Sequence, residues 1–293
     1  MATMTVEHRT IRKTALRCRS TVRAILSVGL LAAMPPIIAQ ADSAADIERL
    51  QDLNRRDPSE DRAWAIVALI QDHRHVPEQG RAAARARLRT AFDRLNEVHE
   101  RILAGRFTAS LLNSQWGQAM VQARSDDAQD LFRRILADQY DDDTLLSLEI
   151  DRAAFAPLFL LSKAKLNRDN AQWLKAVLQR IGWFDIGHYG EQASMAAWLI
   201  VQHADFDPQW QAEMVAVLRP RIARGDMQPR YFAYLVDRVA VNQGQPQDYG
   251  TQGRCTAAGW QNYAIRDPGD VDARRRSVGL EPLEAYRARF GCN

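Results

Sequence analysis

Residues 191–225 read EQASMAAWLIVQHADFDPQWQAEMVAVLRPRIARG, and their punctuation decides the fold. The first part is too long and too apolar for a strand in a chain of this composition. It is built on Met195, Trp198, Leu199 and Ile200, so the spacing predicts a buried helix over 191–203. Asp207 followed by Pro208 is an N-cap and first-turn pair, which opens a second helix that closes before Gly225. A third helix is predicted over 229–241, stopped by Asn242 and Gly244. Helix, tight turn, helix, tight turn, helix makes these segments antiparallel neighbours.

The same periodicity extends towards the N-terminus. DRAWAIVALIQDH follows the capping residue Ser59, and a long Arg- and Ala-rich stretch over 78–103 is stopped by Gly105. LLSLEIDRAAFAPLFLLSKAKL is apolar enough to be largely buried. A turn at 167–170 is expected to separate it from NAQWLKAVLQRI, which Gly182 ends. No run of alternating β-branched residues stands out. The chain therefore reads as all-α, with antiparallel helical hairpins and a long ordered loop over 243–270 near the C-terminus. That loop is too glycine- and glutamine-rich for a helix, and Tyr249, Trp260, Tyr263 and Ile265 argue that it docks.

Residues 1–41 read as an address: Arg9, Arg12, Lys13, Arg17, Arg19 and Arg23, then AILSVGLLAAM, then AQA. This predicts a cleaved signal peptide, no membrane span after cleavage, and a periplasmic or secreted product. Two further regions are expected, 42–140 and 141–293, divided at the acidic break QYDDDT (139–144). The whole chain has 39 basic and 36 acidic residues, but residues 42–293 carry 33 and 35, a net of −2. The basicity belongs to the leader, and no nucleic-acid partner follows from it. Cys255 and Cys292 remain after the leader. In an oxidising compartment they are expected to pair, which stabilises by about 4 kcal/mol in the chain-entropy model.

Three segments carry a family likeness. GWFDIGHYGEQASMAAWLIVQHADFD, YFAYLVDRVAVNQGQPQDYGTQ and RRRSVGLEPLEAYRARF together resemble the bacterial domain of unknown function 6624 (DUF 6624) over about residues 145–288. The likeness rests on Gly-Trp, Gln-His-Ala-Asp, Asp-Arg, Gln-x-Tyr-Gly-Thr-Gln and Arg-Arg to Gly-Leu elements in order. Phe184 stands where that family tends to have Pro after Gly-Trp. The resemblance implies membership and no particular activity.

Read physically, the same residues nominate a site. His203 falls in the last turn of its helix, where the macrodipole favours a cation. Asp205, two residues on, is expected to reach back and orient the ring, as a general base requires. Asp237 is a carboxylate near a helix C-terminus, so a compensating group is expected from another element: His203, Arg254, Arg274 or a metal. Gly250 should permit a positive-φ turn that gathers Tyr249, Thr251 and Gln252. Gln202, Arg238 and Gln247 complete a polar set suited to a small polar ligand. One His with two Asp is thin for a metal, so no metal is assigned. No phosphate loop or nucleophile elbow is present, and no cofactor is expected. Two classes stay open for this chain, besides a purely structural reading in which the motifs only lock the loop. One is acid–base chemistry in a pocket at the helix ends, with His203 as acid or base and Arg238 as anion stabiliser. The other is a non-catalytic binding or scaffold module of the cell envelope, with an envelope protein as partner.

Overall fold

The computed structural model describes residues 57–140, 150–256 and 259–291, preceded by residues 47, 49–51, 53 and 54. The leader, most of the acidic break and Cys292, the expected partner of Cys255, lie outside the described residues.

Capping residues set the helix starts. α1 (Glu60–His73) begins where the Ser59 side chain accepts the Arg62 N–H at 3.3 Å, with Glu60 and Asp61 in the first turn, where the helix dipole favours them. α2 (Glu78–Leu103) follows, then the short α3 (Ala109–Asn113) and α4 (Gln115–Gln122). α5 (Asp126–Asp138) is capped by Ser125. α6 (Arg152–Ile181) is capped by Asp151, whose carboxylate accepts the N–H groups of Ala153 and Ala154. It ends at Gly182, whose φ of 78° is one a side chain resists.

The turn expected at 167–170 does not form, because α6 runs through it for 30 residues. Asparagine and aspartate disfavour a helix only mildly, and no Gly or Pro interrupts here. Asn170 is buried, and its side-chain oxygen accepts Arg134 Nη1 at 3.1 Å. A tertiary contact takes the amide that would otherwise favour a turn.

After α7 (Ile186–Tyr189) come the three helices expected from residue 191 onward: α8 (Glu191–Gln202), α9 (Pro208–Ala223) and α10 (Pro229–Asn242). Asp207 caps α9 by accepting the Trp210 N–H at 3.1 Å. α9 packs on α10, and α8 packs on α5, α6 and α10. The loop over 243–270 is more structured than expected. It contains an antiparallel hairpin of β1 (Gly253–Thr256) and β2 (Gly259–Asn262), with Cys255 opposite Trp260. Strands of four residues are too short to register as alternation in sequence. α11 (Val271–Ser277) and α12 (Leu283–Arg287) finish the described chain. The fold is mostly all-α, as read from the sequence. No helix among the described residues is long and apolar enough to cross a membrane.

Two apolar clusters share the interior. One gathers α1, Leu88, Ala91, Phe92 and Leu95 of α2, and Ala154, Phe155 and Leu158 of α6. The other includes Ile102 of α2, Leu166 to Val177 of α6, and the helices α4, α5, α8, α9 and α10. α2 and α6 pass from one cluster to the other. At the crossing each carries polar residues, His99 on α2 and Ser162 on α6, both buried. Trp183 and Phe184 are fully buried in the larger cluster, where Trp183 Nε1 donates to Ser194 Oγ at 3.3 Å.

Candidate functional site

The residues nominated from sequence fall into three separate networks. The first surrounds Asp237, which is fully buried on α10. Its Oδ1 accepts the N–H groups of Asp248 at 2.8 Å and Tyr249 at 3.0 Å, and its Oδ2 accepts the N–H and hydroxyl of Thr251 at 2.8 and 2.9 Å. Burial pushes this carboxyl above its ordinary range, and the amides only partly restrain it. The compensating group expected from a histidine, an arginine or a metal is thus replaced by peptide dipoles.

The carbonyls of the same loop face the opposite way, towards cations. Arg275, fully buried on α11, donates to Tyr249 O at 2.6 Å, and Arg274 Nε donates to Asp248 O at 2.8 Å. The Tyr286 hydroxyl donates to Thr251 O at 2.8 Å. A buried anion and a buried cation are therefore joined through peptide units, without touching each other. Gln247 completes the turn by accepting the Gln252 N–H at 2.8 Å and donating to Gln252 O at 2.8 Å and Tyr263 O at 3.0 Å. The Gln252 side chain donates to Thr251 Oγ1 at 3.0 Å. Gly250 adopts φ 67°, a backbone conformation that side-chain-bearing residues rarely take, and the ends of the Ile265 and Leu283 side chains close over it.

The second network ties the α8–α9 turn to α10. Asp205 accepts Arg238 Nη1 at 2.6 Å and Asn242 Nδ2 at 3.3 Å, and Gln211 Nε2 donates to Val201 O at 3.0 Å and to Asp205 Oδ1 at 3.3 Å. Asp205 does not orient His203 as expected. The turn aims its carboxylate at α10, and Arg238 is occupied by that contact.

The third network contains His203, the C-cap residue of α8. Its Nδ1 lies 3.0 Å from Oδ2 of Asp138, the last residue of α5, whose side chain is 4% exposed. A carboxylate at this position only accepts, so the hydrogen sits on Nδ1. Burial alone would raise the Asp138 carboxyl. His203's charge and hydrogen bond, then Lys163's charge and the Gln139 amide at 2.6 Å, outweigh burial and hold it well below the usual carboxylate range. Lys163 Nζ also donates to the main-chain carbonyl of Asp138. His203 Nε2 is buried and has no hydrogen-bond partner among the described residues. Gln202, on the same final turn, is buried with its Oε1 likewise unpartnered.

His99 stands on the other side of this region, with Nδ1 3.4 Å from Ser162 Oγ and Nε2 unpartnered. Burial first, then the Lys163 charge, and against the pull of Asp138, hold it down to about 3. Asp138, Lys163 and His99 were missed in the sequence reading. The signal for Asp138 was available, because it too is a carboxylate at a helix C-terminus, the anomaly that singled out Asp237. Among the described residues no group of three or more His, Cys, Asp or Glu side chains is placed to hold a metal ion.

The model of a family of unknown function, DUF6624, matches residues 118–290. The matched span starts earlier than the 145 expected from the motifs and takes in α5 with Asp138. No curated protein and no solved structure matches the chain.

Proposed function

The chain belongs to DUF6624, a family of unknown function, and we propose that its chemistry resides in the Asp138–His203 pair, as an acid–base site for a polar ligand or substrate. One observation carries this reading: His203 is oriented through Nδ1 by a buried carboxylate 3.0 Å away, while Nε2 has no partner. That is the disposition of a general acid or base, with the carboxylate fixing the tautomer and Nε2 left to exchange a proton. Hydrolysis or group transfer is the reaction class it suits. The His203 side chain is 13% exposed and its Nε2 is buried. Arg238 has no part in this chemistry, since Asp205 holds it elsewhere. Export by a cleaved leader and a Cys255–Cys292 disulfide belong to the same proposal and rest on the sequence.

The second reading, a non-catalytic binding or scaffold module, is favoured by a different observation. Asp237, Asp205 and Gln247 turn their hydrogen-bonding groups on the protein itself, and Arg238 donates from Nη1 to Asp205. Turnover of ester, amide, phosphoester and glycoside substrates by wild type and His203→Asn separates the two. The acid–base reading expects activity that the variant lowers by about 10²–10⁴-fold with its fold intact. Folded protein without His203-dependent turnover leaves the scaffold reading.

A further inference from the structure

Asp138 is buried at the meeting of α5 with α2, α6 and α8, and charged or titratable groups reach it from three of those contacts. From α8 comes His203, whose Nδ1 hydrogen it accepts. From α6 comes Lys163, bonded to the Asp138 carbonyl, with its ammonium 5.5 Å from the centre of the Phe159 ring one turn earlier. From α2 comes His99, which burial keeps neutral. α4, which also packs on α5, contributes no charged side chain. The carboxylates after His203 are engaged elsewhere, Asp205 with Arg238 and Asp207 with Lys175.

This arrangement has a consequence for His203. A histidine whose only role is to neutralise a buried carboxylate must stay charged, because losing its proton strands the anion. Here a second cation is already in place at the Asp138 main-chain carbonyl, and Gln139 donates to the same carboxylate oxygen as His203. We propose that Lys163 is a positioning residue of this site, holding the Asp138 charge in place so that His203 can give up and regain its proton without opening the core. The inference rests on the acid–base reading of the pair. Its test needs no substrate, so it fails or stands apart from that reading.

The experiment is thermal unfolding of the full chain at intervals from pH 5.5 to 8.5, the range in which histidines ordinarily titrate. Wild type is compared with Lys163→Gln, Lys163→Arg and Lys163→Gln/His203→Gln. Lys163→Gln keeps a donor for the Asp138 carbonyl and removes the charge, so it is the variant best suited to fold. The proposal expects its Tm to match wild type at low pH and to fall below it by about 4–8 °C as pH rises. Lys163→Arg should restore the wild-type profile, and the double variant should lose the added pH dependence. An offset that is equal at every pH, or a profile indistinguishable from wild type, would make Lys163 an ordinary packing residue and overturn the proposal. Should Lys163→Gln not fold, Lys163→Arg decides alone: a wild-type profile supports the charge, and a pH-dependent fall contradicts it.

Discussion

His99 shows how much one buried ring matters to this protein. It is 5% exposed and held down to about 3, so the unfolded chain takes up a proton below its ordinary value near 6.5 while the folded chain does not. The stability this group contributes is therefore present above pH 6.5 and is lost as pH falls from there towards 3, on the order of 1 kcal/mol per pH unit. Asp237 works in the opposite sense. Its carboxyl is raised in the folded state, so its ionisation opposes folding as pH rises through that raised value. Replacing His99→Leu removes the titrating ring and its unpartnered Nε2 together. Melting curves at pH 6 and pH 4 should then show a smaller acid loss for the variant than for wild type. An equal acid loss in both would mean that the ring is not buried neutral. Sequence could not have singled out His99, because nothing in NEVHERIL distinguishes a histidine turned inward from one in water.

At the scale of elements, the loop motif is explained by its two sides. The N–H groups of Asp248, Tyr249 and Thr251 point at Asp237, and the carbonyls of the same residues point at Arg274, Arg275 and Tyr286. This reversal requires a residue with positive φ at position 250 and no room for a side chain. Gly250→Ala should cost about 1–3 kcal/mol for the backbone conformation alone, several degrees in Tm for a chain of this size. A melting temperature equal to wild type would show that the turn is not built as described. The need for a glycine was legible in the sequence, and so was the anomaly of Asp237 near a helix end. Its solution was not, because backbone amides carry no sequence signature. The unbroken α6 was hidden for a related reason: Asn170 reads as a turn former until Arg134 on another helix takes its oxygen.

For the molecule as a whole, helical periodicity and caps were enough to fix the class and the extents of α1, α2, α8, α9 and α10, since those depend on neighbours along the chain, while α3, α4, α5, α7 and α11 were not singled out. The grouping of the polar residues depends on contacts across it, and there His203 and Asp205, two residues apart, belong to different networks. The family span begins early enough to include Asp138, 65 residues before His203. A lock centred on Asp237 thus stands apart from the Asp138–His203 pair, which is proposed above as the acid–base site. The most direct test is residue-resolved amide hydrogen exchange of wild type and Asp237→Ala at neutral pH. The amides of Asp248, Tyr249 and Thr251 should be protected in wild type and lose protection in the variant, while the amides of α8 around His203 keep theirs. Rapid exchange of those three amides already in wild type, or unchanged protection after the substitution, would contradict that lock.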